Sequence, residues 1–156
     1  MPLDPAVLKR EFPEFELRVE RGKIREYALV LGLQDPVHTD PGAARAAGYA
    51  DVVAPPTFTR QFWHENLEND PMPHLGYDPK RRLHGEQEFE YFKPLVAGMV
   101  LRGRNVIVSH EEKPGKRGGM MTFVVIETRF TDEKGDLVQI ARRTLIETAA
   151  PPKTGK

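Results

Sequence analysis

Residues Val52 to Glu68 of this 156-residue chain, Val-Val-Ala-Pro-Pro-Thr-Phe-Thr-Arg-Gln-Phe-Trp-His-Glu-Asn-Leu-Glu, constrain the fold more than any other stretch. The Pro55-Pro56 pair sets an extended lead-in, Thr57 can cap, and Phe58, Phe62, Trp63 and Asn66 then recur at helical three-to-four spacing. The spacing predicts one helix. Three of the chain's largest apolar side chains lie on it, so it is expected to be buried. The flanking segments are mostly short and β-patterned, and the economical arrangement wraps a sheet around this helix. Its first N–H groups are then placed to polarise a carbonyl or an anion.

The sheet is written in the carboxy-terminal half. Gln87, Phe89 and Tyr91 alternate with glutamates, and Val100 to Ser109, Met120 to Phe130 and Leu137 to Thr148 are longer β-branched runs. Lys113-Pro-Gly-Lys-Arg-Gly-Gly and Asp132-Glu-Lys-Gly-Asp read as hairpin connections, which makes the strands on either side antiparallel neighbours. A ferredoxin-like layout needs a second long helix between these strands, and none is visible. The expected fold class is α+β, the hot-dog arrangement, with a curved antiparallel sheet around one long central helix. A single domain over residues 1–150 and a disordered tail over 151–156 are expected.

The first half is shorter-ranged. Asp4-Pro5 predicts a short helix over 4–12 stopped by Pro13, and alternation at Phe15, Leu17 and Val19 predicts a strand. A helix from Gly22 to Leu31 is expected to end at Gly32, and Ala43 to Ala47 to form a short helix closed by Gly48. Gln34 to Gly42 reads as a turn-rich loop. Asn69 to Lys80, rich in proline and glycine, reads as a mobile surface excursion.

Composition narrows the function classes. Twenty-three basic and twenty-three acidic side chains give net charge zero, so the field that drives non-specific nucleic-acid binding is absent. The chain has no cysteine, which excludes disulfides, thiol catalysis and thiolate-held metals. No run of eighteen apolar residues and no secretory pattern are present, so a cytoplasmic protein without membrane contact is expected.

His38, in Gly32-Leu-Gln-Asp-Pro-Val-His-Thr-Asp, is the first candidate for chemistry. Near the carboxylates of Asp35 and Asp40 it can act as a general acid or base, although histidines in such loops more often serve as turn or cap residues. His84 and Glu86, flanking Gly85, form a second candidate, since glycine lets a substrate approach the backbone closely. The plainer reading makes His84 the start of an edge strand and Glu86, Glu88 and Glu90 its solvated face. Lys80-Arg81-Arg82 and Arg102 with Arg104 are basic clusters suited to phosphates or to an acidic carrier surface, or simply to solvent. His64 and Glu65 are adjacent on the expected helix and do not face each other, and the histidine spacings fit no metal-ligand pattern.

Gly32-x-x-Asp35-Pro36-x-His38-x-Asp40, Ala43-Ala44, Gly48-Tyr49 and Ala54-Pro55-Pro56-Thr57-Phe58 together resemble the hydratase motif of the MaoC-like (R)-specific enoyl-CoA hydratases and 3-hydroxyacyl thioester dehydratases. Leu83-His-Gly-Glu-Gln-Glu-Phe-Glu-Tyr-Phe-Lys-Pro-Leu-Val-Ala-Gly98 is similar to a stretch of the amino-terminal-type dehydratase domains, including the mycobacterial hydroxyacyl dehydratase subunits. The likeness runs from about Gly22 to Glu147.

That resemblance implies addition or removal of water across the α,β bond of an acyl thioester carried by coenzyme A or acyl carrier protein, with no cofactor and no metal. It implies His38 as the family histidine; beside it the residues themselves offer Asp35 as a candidate catalytic partner, and Pro56, Thr57, Phe58, His84, Gly85 and Glu86 as candidate substrate-binding residues. Two departures matter. The family's aspartate lies five residues before its histidine, where this chain has Leu33, so Asp35 is not the matched residue. The family's Pro-Gly at the helix start reads Pro55-Pro56, and proline has no N–H, which leaves the backbone of Thr57 or Phe58 as the carbonyl donor. The losses leave two readings open, a substrate-holding partner in a heterodimeric dehydratase or a homodimeric enzyme with a rearranged pair. A non-catalytic thioester-binding subunit and a hot-dog thioesterase are the alternatives in function.

Overall fold

The computed structural model describes residues 8, 10–60, 69–116 and 118–149. Five antiparallel strands, β1 (Phe15–Arg18), β2 (Arg82–Tyr91), β3 (Val100–Pro114), β4 (Met120–Thr131) and β5 (Leu137–Glu147), form one sheet in the spatial order β1-β3-β4-β5-β2. The two glycine-rich turns fold β3 onto β4 and β4 onto β5, with Gly103 opposite Phe130 and Val125 opposite Thr144. The alternating patterns therefore give the paired strands they predict.

Two α-helices precede β2 among the described residues. α1 (Arg21–Val30) buries Ile24 and Ala28, and α2 (Pro41–Ala46) buries Ala44. Gly32 takes a positive φ of 69° just past α1, and the following N–H, on Leu33, returns to the Ala28 carbonyl at 3.0 Å. This left-handed closure needs a residue without a Cβ. Ile24 of α1 and Ala44 of α2 join Val52, Ala54, Phe58, Leu95 and, from the sheet, Leu17, Leu101, Phe130 and Val138 in one core. A fully buried side chain such as Ile24 or Phe58 contributes roughly 1.5–3 kcal/mol through burial alone.

The helix expected over 57–68 is described only at its start. Residues 58–60 form a 3-10 turn, and residues 61–68, with Phe62, Trp63, His64, Glu65 and Asn66, lie outside the described residues, as do residues 150–156. The amino-terminal helix expected over 4–12 is not formed where the chain is described. Glu11 bridges to Val106 and the Phe12 N–H donates to the Asn105 carbonyl at 3.0 Å, because pairing with β3 lets Phe12 bury.

The segment from Asn69 to Lys80 is also corrected. It is not a surface excursion: Asn69, Asp70, Pro71, Leu75 and Tyr77 are buried, and Leu75 and Tyr77 join a second core with Phe12, Ile107, Val124, Ile126 and Leu145. Short 3-10 turns at Met72–Leu75 and Pro79–Arg81 use its prolines.

The Tyr77 hydroxyl is buried with no hydrogen-bond partner among the described residues. Burial first, and then the nearby carboxylates of Glu147 and Glu112, push it up from 10.0 to about 12. Below pH 10 the folded and unfolded states both keep this proton. As the pH rises from 10 towards 12 the unfolded chain loses it and the folded chain does not, so stability falls across that window, by up to roughly 3 kcal/mol at 1.36 kcal/mol per unit. Tyr77→Phe is expected to be neutral or stabilising at pH 7, since it removes an unpaired hydroxyl, and to lose less stability between pH 10 and 12. Denaturant midpoints measured across pH check both; a Phe variant weaker than the parent at pH 7 would mean the hydroxyl is paired.

Candidate active site

Three chain segments meet beside His38. The Val53 N–H donates to the Val37 carbonyl at 3.0 Å, Val53 also bridges to Val96, and the Ala54 N–H donates to the Leu95 carbonyl at 2.7 Å. These bonds lace the 3-10 turn Pro36–His38 to the Val52–Pro56 lead-in and to the segment after β2. Between them lies an open groove of about 580 Å³, lined among others by His38, Asp35, Tyr49, Pro56, Tyr91 and Phe92.

His38 is half-buried on this groove, and its Nδ1 lies 2.7 Å from the Val53 carbonyl. A carbonyl only accepts, so Nδ1 carries the hydrogen and the neutral ring keeps its lone pair on Nε2. That nitrogen has no partner among the described residues and is the one able to take a proton. Asp35 is close in sequence but otherwise engaged. Its carboxylate accepts the Val37 N–H at 3.0 Å and caps the turn on which His38 sits, and no bond joins it to the imidazole. Asp40 likewise caps α2 through the Gly42 N–H at 2.7 Å. Leu33, five residues before His38, offers no polar group. The histidine is oriented, and no carboxylate among the described residues hydrogen-bonds it.

The residues after the prolines divide. Phe58 is fully buried, its ring 6.0 Å from that of Tyr27 in an edge arrangement, and its N–H donates to the Pro55 carbonyl at 3.1 Å. Phe58 is thus a core residue whose backbone donor is already engaged. Thr57 differs. It is the one non-glycine residue with positive φ among the described residues, at 70°. Its hydroxyl shares a 2.7 Å hydrogen bond with the Tyr27 hydroxyl, and its N–H donates to the Tyr91 hydroxyl at 3.1 Å.

His84, Gly85 and Glu86 are not part of this groove. They lie towards the opposite end of β2 from Tyr91, five to seven residues and roughly 17–23 Å away at about 3.3 Å per residue. His84 lines a second groove with Arg82, Arg143 and Leu145, where the buried carboxylate of Asp70 pairs with Arg143. The register slips between His84 and Glu86, and a Cβ on Gly85 would fall 2.8 Å from Ile146 Cδ1. The same Cβ would lie 3.3 Å from the Thr144 carbonyl oxygen on β5. Glu86 is exposed, whereas Glu88 and Glu90 bond Arg142 on β5.

The basic clusters are largely engaged. Arg81 pairs with Asp78 and Glu147, and Arg104 with Glu11 and Glu14. Among the described residues no three potential ligands gather as a metal site, and no helix is long and apolar enough to cross a membrane. Sequence reasoning missed Tyr27, Tyr91 and the Val53 carbonyl. The first two look like ordinary amphipathic tyrosines, and a backbone carbonyl has no sequence signal.

A family model described as FAS1-like, dehydratase domain region, matches residues 6–141. The chain is 39% identical over 159 residues to a UPF0336 protein of Saccharopolyspora erythraea, covering 98% of this chain and 97% of that one. Among solved structures it is similar to the truncated HadBC (3R-hydroxyacyl-ACP dehydratase) complex of Mycobacterium tuberculosis, at TM-score 0.77 and 27% identity over 90% of this chain and 96% of that chain. A MaoC-like dehydratase matches at TM-score 0.77 and 29% identity, with 93% of this chain covering 43% of the larger one.

Proposed function

The chain belongs to the family of FAS1-like dehydratase domain regions, and from that premise we propose that it acts on (R)-3-hydroxyacyl and trans-2-enoyl thioesters, removing or adding water, as one subunit of a two-chain dehydratase. The observation that carries the reading is the state of His38. Its tautomer is fixed by Val53, its Nε2 has no partner among the described residues, and the carboxylate that should share the water is replaced by Leu33. Hydration needs one group to take a proton from water and another to deliver one to the α-carbon. Among the described residues this chain places only the first of them beside the groove. The substrate-holding role follows: a related hot-dog chain brings a complete aspartate and histidine, and this chain's groove contributes to binding the thioester of coenzyme A or acyl carrier protein. That one relative is a two-chain 3R-hydroxyacyl-ACP dehydratase supports the arrangement.

A homodimer with a rearranged acid–base pair is the second reading, favoured by the orientation of His38 itself. In both, the joint is the free edge of β2, which pairs with β5 on one side and with no described strand on the other. Leu83, Tyr91 and Phe92 expose 54%, 45% and 48% of their surface along or just beyond it, more apolar surface than a solvated edge carries. A cytoplasmic location belongs to the same proposal.

Charges on this edge test the joint. Leu83→Glu together with Phe92→Glu is expected to leave the chain folded but to abolish its association with a family member carrying the intact aspartate, as read by sedimentation. Persistence of the complex in this variant would move the interface elsewhere.

A further inference from the structure

We propose that Arg143 sets the substrate class, selecting acyl chains that carry a second oxygen, a keto or hydroxyl group, far from the thioester. The inference rests on the reading above that this chain takes an acyl thioester. Arg143 stands at the end of an inner cavity of about 70 Å³, a space for the last few atoms of a chain. Phe15, Leu17, Phe89 and Phe130 form its apolar walls. The cavity adjoins the His38 groove, since Phe89 lines the one, Tyr91 lines the other, and the two rings stack at 6.2 Å. Tyr91 lies opposite Gln139 and Gln87 opposite Arg143, so the step along the strands is four residues, roughly 13 Å at about 3.3 Å each. A chain whose thioester lies beside His38 reaches Arg143 with roughly its eleventh or twelfth carbon, at C–C bonds of about 1.5 Å.

The neutral polar groups of the lining are already engaged. Thr59 donates to Gln139 at 2.7 Å, Asn105 to the Asn69 carbonyl at 2.9 Å, Thr128 to Asn105 at 2.6 Å and Gln87 to the Arg142 carbonyl at 2.9 Å. Arg143 differs. Its Nη2 bonds Asp70, and its other four N–H groups have no partner among the described residues. The side chains of Arg143 and Asp70 are only 15% and 11% exposed. An alkyl end pressed against this guanidinium strips water from those N–H groups and returns no acceptor, which costs free energy. A keto or hydroxyl oxygen supplies the acceptor. A carboxylate supplies one too, but it meets the like charge of Asp70 on the same guanidinium. The arrangement therefore favours an uncharged oxygen.

The test compares matched ligands on the full chain together with its related subunit. Calorimetry measures the affinities of dodecanoyl-CoA, 11-oxododecanoyl-CoA and dodecanedioyl-CoA. The ketone is expected to bind roughly tenfold or more tightly than the plain chain, as for one hydrogen bond to a charged group, and more tightly than the diacid. Asp70→Asn with Arg143→Gln removes both charges together, so no buried charge is stranded, and the ratio of ketone to plain-chain affinity should fall to about one. Arg143→Lys, which keeps the pairing with Asp70 but offers three donors in place of five, should lower that ratio severalfold even if the double variant fails to fold. Failure of all three ligands to bind overturns the functional reading and this inference with it. Equal binding of ketone and plain chain, a preference that survives both variants, or a preference for the diacid overturns the inference alone.

Discussion

Phe58→Ala is expected to destabilise the fold by about 3–5 kcal/mol, the range for emptying a large aromatic site in a packed core. Phe58 is fully exposed to neither solvent nor groove: it has no accessible surface and touches the ring of Tyr27 edge-on. Losing it removes the transfer free energy of the ring and leaves a cavity that α1 and the sheet cannot both collapse into. It also frees Tyr27, whose hydroxyl holds Thr57 in its strained conformation. Stability should therefore fall. Urea unfolding checks it, as a lower midpoint at unchanged slope. Phe58→Leu is expected to retain more of it, because it keeps most of the apolar volume. A loss below about 1 kcal/mol for the alanine variant would place Phe58 outside the core.

The sheet was legible because its signal is local. Alternation in Phe89 and Tyr91, the β-branched runs and the two glycine-rich turns each specify a strand or hairpin within a few residues. Gly32 announced the end of α1 in the same way. Long-range packing was not legible. Leu75 and Tyr77 sit among prolines and glycine with no periodicity, so nothing in the segment itself says that it covers Ile107 and Leu145. The Asp4-Pro5 capping signal competes with a pairing of Glu11 to Val106 that lies 95 positions away along the chain, and the distant partner wins at residues 11 and 12.

The site shows the same division. The likeness around His38 pointed to the imidazole and to the missing aspartate at Leu33, whereas closeness in sequence suggested Asp35 as a partner, and the structure uses that carboxylate to cap a turn. His84, Gly85 and Glu86 share a strand with Tyr91, yet strand geometry carries them to its far end. The convergence of Tyr27 and Tyr91 on Thr57 joins residues 30 and 34 positions away, and a threonine at positive φ is what local preference argues against. Departures of that kind are expected where function overrides local rules.

We propose that this chain holds a thioester and that its described residues supply only half of the acid–base pair. The most direct measurement is hydration of crotonyl-CoA, followed by loss of enoyl absorbance in the ultraviolet, by the purified chain alone and then with a family member that carries the aspartate five residues before its histidine. Removing a general acid or base from such a reaction lowers its rate by about 10²–10⁴. The chain alone is therefore expected to show no turnover above that deficit, and the mixture is expected to turn over at rates that His38→Ala in this chain leaves nearly unchanged. Brisk hydration by the chain alone, abolished by His38→Ala, would contradict the account and make the protein a self-sufficient hydratase whose second proton-transfer group is not an aspartate at position 33.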